Sequence, residues 1–248
     1  MRLDQRITDA GLAASRERAR ALILAGRVSV DGVVVTKAGA PVTADAAVSV
    51  SAPDFPWVGR GGVKLAHALE TFAIDVTGRE ALDIGASTGG FTDVLLQKGA
   101  RRVVALDVGH GQLDWRLRED PRVVVLEHRN ARELDASWLP APVDIVTIDV
   151  SFISLRLIFP VLPALLTPEA DIVALVKPQF EAGREEVGRG GLVKDPAVHE
   201  AVIARVTDAA AAAGLARHGL TPSPITGATG NQEYLLHLSR AAGPGVDR

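Results

Sequence analysis

The sequence predicts an α/β protein, a mainly parallel sheet with helices on both faces, preceded by a small α+β head. Three observations carry that expectation. From about Gly62 onward, apolar strand candidates alternate with helical patterns. A glycine-rich turn, Gly85 to Gly90, stands directly between a strand candidate and a helix candidate. Near the start, two short helical patterns precede VSVDGVVV, in which β-branched runs flank Asp31-Gly32, the strongest short-range hairpin signal.

Taken in order, residues 3–11 read as a short helix that stops at Gly11. Ser15 caps a second helix, SRERARALILAG, which stops at Gly26. Its Ala19, Leu22 and Ile23 recur at helical spacing, and Arg16, Arg18 and Arg20 lie on other faces. The hairpin occupies 28–35, and an Ala/Pro/Val stretch follows to about residue 50. SAPDFPWVGRGG (51–62), with two prolines and three glycines, reads as a linker in which Trp57 anchors the two domains, the alternative being that it stacks on a base. The expected organisation is a head over 1–50, a linker over 51–61 and a second domain over 62–242. The strands of that domain are ALDI (81–84), RVVALDV (102–108), VVVL (123–126), DIVTIDV (144–150) and DIVALVK (171–177). Two late apolar stretches, around 215–220 and YLLHLSR (234–240), read as edge strands, and Asp195-Pro196 starts the helix between.

Composition narrows the function classes. With 248 residues, 47% apolar and 23% charged, the chain reads as an ordinary globular protein. The start, MRLDQRITDAG, lacks the apolar core of a signal peptide, and LIFPVLPALL (157–166) is short and broken by Pro160 and Pro163. A cytoplasmic monomer with no membrane partner is expected. There is no cysteine, and the six histidines show no ligand spacing, so no metal site is expected. The net charge of −3 conceals an asymmetry: residues 1–60 hold eight Lys/Arg against six Asp/Glu, a +2 head on a −5 body, which hints at a polyanion partner for the head.

The chemistry concentrates at strand ends. In ALDIGASTGGFTDVLLQKG, glycines after the strand let the backbone turn tightly and approach a ligand, although the spacing is not the dinucleotide GxGxxG. Asp107 follows about twenty residues later at the end of the next strand, where a carboxylate accepts hydrogen bonds from ribose hydroxyls, and Asn130 follows VVVLEHR. That order points to an adenosine-containing ligand across the strand tips. Gly85-Ala86-Ser87-Thr88-Gly89 also fits the GxSxG nucleophile elbow, but no earlier strands of the sheet and no HGGG-type segment precede it. Asp149 ends DIVTID, and Lys177 ends DIVALVK just before a proline stops the strand. In a doubly wound sheet such ends gather at one edge. Lys64 follows the linker and Glu233 opens the last strand.

Beyond these readings lie resemblances. RLDQRI with SRERARALILAGRVSVDGVVV resembles an S4 domain, a small RNA-binding module, over residues 1 to about 50. The resemblance implies phosphate contacts by Arg2, Arg6, Ser15, Arg16, Arg20 and Arg27. The glycine stretch resembles motif I of S-adenosylmethionine-dependent methyltransferases of the Rossmann-like class I fold. That implies S-adenosylmethionine as cofactor, held by Asp83, Gly85, Ala86, Ser87, Thr88, Gly89, Gly90, Asp107, Val108, Asn130 and Asp149. Lys64, Asp149, Lys177 and Glu233 match in order and context the Lys-Asp-Lys-Glu tetrad of FtsJ-like ribose 2′-O-methyltransferases. With IDVSFISL, LVKPQFE and GNQEYL behind an S4 head, nearly the whole chain resembles the TlyA-type family.

Members of that family methylate the 2′-hydroxyl of cytidine in ribosomal RNA, in the small subunit alone or in both, and the family carries an old haemolysin label. The resemblance implies ribosomal RNA in ribosomal subunits as partner. Lys177 would be the base, Asp149 would orient it, and Lys64 and Glu233 would position the hydroxyl. An amine can accept that proton only in its neutral form, which burial and neighbouring cations favour and carboxylates oppose. The glycine-rich segment FEAGREEVGRGGLVKD (180–195) is expected to be a mobile loop closing over substrate, with Arg184, Arg189 and Lys194 reaching phosphate. A different class, a non-catalytic RNA-binding or ribosome-assembly protein that keeps the fold, leaves the intact tetrad without a purpose. No spanning or strongly amphipathic segment supports a direct membrane activity.

Overall fold

A computed structural model describes residues 1–13, 15–24, 26–51 and 55–241. Residues 52–54 of the expected linker and residue 242 of the expected second domain lie outside these. The chain forms two compact units, Met1–Pro56 and Trp57–Arg248.

The first unit contains α1 (Leu3–Asp9), α2 (Arg16–Leu24), β1 (Val28–Val30), β2 (Val33–Val34) and β3 (Val48–Val50). Ser15 Oγ accepts a hydrogen bond from the Arg18 amide (3.1 Å), as expected of a helix cap. Asp31 and Gly32 turn the hairpin with φ of 50° and 81°, the left-handed pair that matches the twist of the flanking strands. β1 pairs antiparallel with both β2 and β3. The third strand went unassigned because its three residues are too few to show alternation. Leu3, Ile7, Ala19, Ile23 and Val28 are fully buried between the helices and the sheet.

The second unit begins earlier than expected. Val58 is buried and its amide donates to Asp93 Oδ2 (2.8 Å), and Trp57 covers Gly62, so the C-terminal part of the expected linker belongs to this core. α3 (Gly61–Thr71) leads into β4 (Glu80–Ile84), α4 (Gly90–Gln97), β5 (Arg102–Leu106), α5 (Trp115–Arg118) and β6 (Val123–Leu126). β7 (Val143–Ile148), β8 (Leu166–Val176), α6 (Pro178–Glu181), α7 (Pro196–Ala212), β9 (Leu215–Pro222) and β10 (Tyr234–Arg240) complete it. As expected, Asp195 caps α7, its Oδ1 accepting from the Ala197 amide (2.9 Å), with Pro196 in the first turn.

The sheet order is β6-β5-β4-β7-β8-β10-β9. β4 to β8 run parallel, and β10 is antiparallel to both of its neighbours. YLLHLSR is therefore not an edge strand; of the two late strands β9 is the one at the edge, opposite β6. The reason is visible in β10 itself: Leu235 faces one core, Leu236 and Leu238 the other, so the strand needs cover on both faces. Helices α3 and α4 supply one cover, and α7 with the segment around Phe159 supplies the other. No helix among the described residues is long and apolar enough to cross a membrane.

Strand order reverses between β4 and β7, which makes their carboxyl ends the switch point where ligands bind in such sheets. Because Leu236 is buried at the centre of β10, Leu236→Ala should cost about 2–5 kcal/mol in urea unfolding.

Candidate active site

Two adjoining cavities, of about 710 and 650 Å³, open at the carboxyl ends of the parallel strands. They share Gly85, Ser87, Asp149, Ser151 and Phe152. The larger holds all four tetrad residues, Lys64, Asp149, Lys177 and Glu233. The smaller holds Asp107, Val108 and Asn130 above an apolar lining that includes Ile84, Leu106 and Ala131.

The tetrad forms two ion pairs. Lys64, in the first turn of α3, meets Glu233, just before β10, at 2.5 Å, and both side chains are buried. Lys177, where Pro178 stops β8, meets Asp149, at the tip of the adjacent parallel β7, at 2.6 Å. Lys177 Nζ also donates to Ser151 Oγ (3.0 Å). The proline converts the strand into α6 at once, so the lysine leaves the sheet at the cavity instead of continuing along it.

The glycine turn is built by left-handed backbone at Gly85 (φ 84°), Ser87 (φ 48°) and Gly89 (φ 96°). A Cβ on Gly85 would sit 2.4 Å from the Asp149 carbonyl oxygen, and one on Gly89 would sit 2.2 Å from Leu117 Cδ1. Gly89 lines neither of the two cavities; its lack of a side chain lets Leu117 seat against the turn. Ala86, Thr88 and Gly90 line the larger cavity. Asp107 accepts from the amides of Ser87 (2.8 Å) and Gly109 (2.7 Å), which fixes its carboxylate at the cavity rim. Asn130 caps the following 3₁₀ turn by accepting from the Arg132 amide (3.1 Å). Ser87 Oγ donates to Gln112 Oε1 (3.3 Å), and no histidine is hydrogen-bonded to it among the described residues, so the elbow reading finds no base.

Asp83 lies elsewhere than expected for a ligand contact. It is fully buried beneath the turn, accepting from Thr92 Oγ1 (2.6 Å) and Thr147 Oγ1 (2.9 Å), because β4 turns it inward between α4 and β7. Burial pushes its carboxyl up to about 6 against the pull of the two threonines, with the nearby Asp149 charge adding to the rise.

In the first unit Arg2, Arg16 and Arg20 converge on the buried Asp4 carboxylate at 2.9, 3.3 and 3.1 Å, with their own side chains about half exposed. The Arg2 guanidinium, with help from Arg20 and Arg16, holds that carboxyl well below its ordinary range despite burial. Arg6 is placed differently: it is half-buried and donates to the Ala44 carbonyl (3.1 Å). Arg27 lies over the Phe55 ring at 5.5 Å. Arg184, Arg189 and Lys194 are exposed on the second unit. The segment carrying them is anchored toward its C-terminal end: buried Asn231 accepts from the Val193 amide (2.9 Å) and donates to the Gly191 carbonyl (2.7 Å).

Ser151, Phe152 and Phe180, which line the larger cavity, were missed by sequence reading. Ser151 holds Lys177. Phe152 is 91% exposed at φ 63°, with its ring 5.0 Å from that of Phe180. An aromatic residue three positions after an acidic strand end was the available signal; the left-handed backbone that turns it outward had none. No group of three or more His, Asp or Glu residues that could hold a metal occurs among the described residues.

A parallel sheet with one inserted antiparallel strand, a glycine turn and an Asp at the second strand tip defines the Rossmann-like methyltransferase class. Residues 57–240 match the FtsJ-like methyltransferase family and residues 1–48 the S4 domain. The chain belongs to the FtsJ-like methyltransferases, in the S4-headed, TlyA-type family. It is 49% identical over 96% of its length to the putative rRNA methyltransferase YqxC of Bacillus subtilis, covering 85% of that protein. It is equally 49% identical over 96% of its length to the 16S/23S rRNA (cytidine-2′-O)-methyltransferase TlyA of Mycobacterium tuberculosis, covering 89% of that protein. A solved structure described as a putative hemolysin from Streptococcus thermophilus shares 42% identity and a TM-score of 0.79, over all of this chain and 90% of that one.

Asp83 supplies a pH test. Its folded-state value of about 6 lies above the ordinary 3.8, so the folded chain binds the proton more tightly than the unfolded chain. Its contribution to stability therefore falls as pH rises from about 4 to 6. Relative to Asp83→Asn, wild type should gain up to about 3 kcal/mol on acidification across that window, read by urea unfolding at each pH.

Proposed function

We propose that the protein transfers a methyl group from S-adenosylmethionine to the 2′-hydroxyl of a cytidine in ribosomal RNA. One observation carries the reading: the two Lys–carboxylate pairs face a single cavity that shares Asp149 with the cavity bearing Asp107 and the glycine turn. The names of the TlyA and YqxC relatives support the reaction and the RNA class.

The smaller cavity fits the donor. Asp107 offers its carboxylate to ribose hydroxyls, Leu106, Val108 and Ala131 form an apolar slot for adenine, and Asn130 stands at its rim. The turn at Gly85 and Ser87, with no side chain on Gly85, leaves backbone open toward the amino-acid end. Bound there, S-adenosylmethionine supplies a sulfonium-activated methyl group.

The chain's own residues then align and deprotonate. Lys177, aimed by Asp149 and Ser151, takes the proton of the ribose hydroxyl. Lys64 and Glu233, locked to each other, hold that hydroxyl in place. The exposed Phe152 ring offers a face on which a nucleobase stacks. In the first unit, the half-exposed Arg2, Arg16 and Arg20, aligned by one buried carboxylate, present a cationic face to RNA phosphates. Arg184 and Arg189 add exposed cations on the second unit.

The deciding experiment is transfer of labelled methyl to purified unmodified 30S and 50S subunits, followed by alkaline hydrolysis. Wild type should leave label in alkali-resistant dinucleotides. Lys177→Ala should lose at least about a hundredfold in rate while donor affinity by calorimetry stays near wild type. Donor binding without transfer to either subunit would exclude ribosomal RNA as substrate. For the arginine face, Arg16→Ala should reduce the slope of log K against log salt by about 0.7–0.9.

A further inference from the structure

Between α6 and the turn that follows β7, three contacts form successive rungs. Lys177 Nζ donates to Ser151 Oγ at 3.0 Å. The Phe180 ring meets the Phe152 ring at 5.0 Å. Glu181 accepts from Ser154 Oγ at 2.6 Å through Oε2 and from the Leu155 amide at 2.7 Å through Oε1. The first two rungs face the larger cavity; in the third, Glu181 and Leu155 are buried and Ser154 lines the smaller cavity. Arg156 Nε stands 3.6 Å from Glu181 Oε2 and donates to Ser154 Oγ at 3.0 Å, so the buried rung is held from both sides.

Val150, Ile153 and Leu155 pack against the core, whereas Ser151 and Phe152 at the tip of the turn are exposed. Phe152 sits at φ 63°, a backbone region unfavourable to a bulky side chain, with its ring almost wholly in solvent. A strained residue of this kind persists only where its surroundings over-determine it. A glutamate is seldom buried, and this one spends both oxygens on the two residues after the turn. Burial raises its carboxyl above the ordinary glutamate range, opposed by the Ser154 and Leu155 hydrogen bonds.

We infer that Glu181 is a positioning residue for methyl transfer: it clamps the 151–155 turn to α6, and so sets Phe152 and Ser151 in register with Lys177. Glu181 touches neither substrate nor donor. Its effect on the reaction passes through the turn, and this part of the inference rests on the function proposed above.

The test compares wild type, Glu181→Ala, Glu181→Gln, Ser154→Ala, Phe152→Ala and the Glu181→Ala/Phe152→Ala double variant. Methyl transfer to unmodified subunits, donor affinity, and hydrogen exchange of the RNA-free full chain are measured for each. Glu181→Ala should lower kcat about ten- to a hundredfold and donor affinity by a smaller factor, since a displacement of about 1 Å at a positioned group costs that much and the same turn walls the smaller cavity. The double variant should be no slower than its slower parent, because both substitutions disable one element. Exchange should rise at least about tenfold over 151–156 and stay unchanged in β4 and β8. Glu181→Gln and Ser154→Ala, which keep part of the rung, should show smaller changes of the same kind. Losses that multiply in the double variant, donor affinity that falls as far as the rate does, or exchange that is unchanged or raised throughout the sheet would each overturn the inference. If wild type binds donor but methylates neither subunit, the proposed function fails, and the exchange pattern still decides whether Glu181 clamps the turn.

Discussion

The close approach of β4 and β7 at their carboxyl ends is the constraint on which the site depends. The Asp149 amide donates to the Ile84 carbonyl at 2.9 Å, and the Asp149 carbonyl oxygen occupies space that any side chain at residue 85 would need. That contact places Asp149 on the wall of both cavities. Without it the glycine turn and the lysine at the tip of β8 would belong to separate pockets. With it the two cavities share one carboxylate.

The two ion pairs divide labour by their burial. Lys64 and Glu233 are almost sealed, and a buried pair of this kind gains less from its attraction than it loses in hydration. It fixes α3 against the start of β10 at one definite geometry. Lys177 and Asp149 remain partly open to the cavity, so the amine can exchange partners with a ligand. Asp83 serves the same end from below: kept from water, it ties α4 to β7 through two threonines and supports the turn without touching what the turn holds.

The same economy recurs in the first unit. One buried carboxylate, Asp4, aligns three arginines whose outer faces stay in solvent. Removing the carboxylate would leave three like charges side by side, and removing an arginine would leave two. The arrangement pre-orders cations for a polyanion at the cost of one desolvated acid.

Much of this was legible in the order of residues. Strand–helix alternation, the Asp31-Gly32 turn, the caps at Ser15 and Asp195 and the proline after Lys177 are local signals, governed by backbone preferences that a few neighbours determine. The tetrad was legible as polar residues interrupting apolar context, Asp149, Lys177 and Glu233 at strand ends that sheet topology gathers at one edge and Lys64 just after the linker. What the sequence left open depended on side-chain partners far apart in the chain. Asp83 looked like a ligand contact because it precedes the turn, but strand alternation points it inward to Thr147. YLLHLSR looked like an edge, but only its pairing with β8 shows that both faces are covered. The outward turn of Phe152 and the burial of Glu181 carried no signal, because a left-handed turn and the buried carboxylate beside it are settled by tertiary contacts alone: local preference opposes both, and only the completed fold supplies the hydrogen bonds that offset the cost.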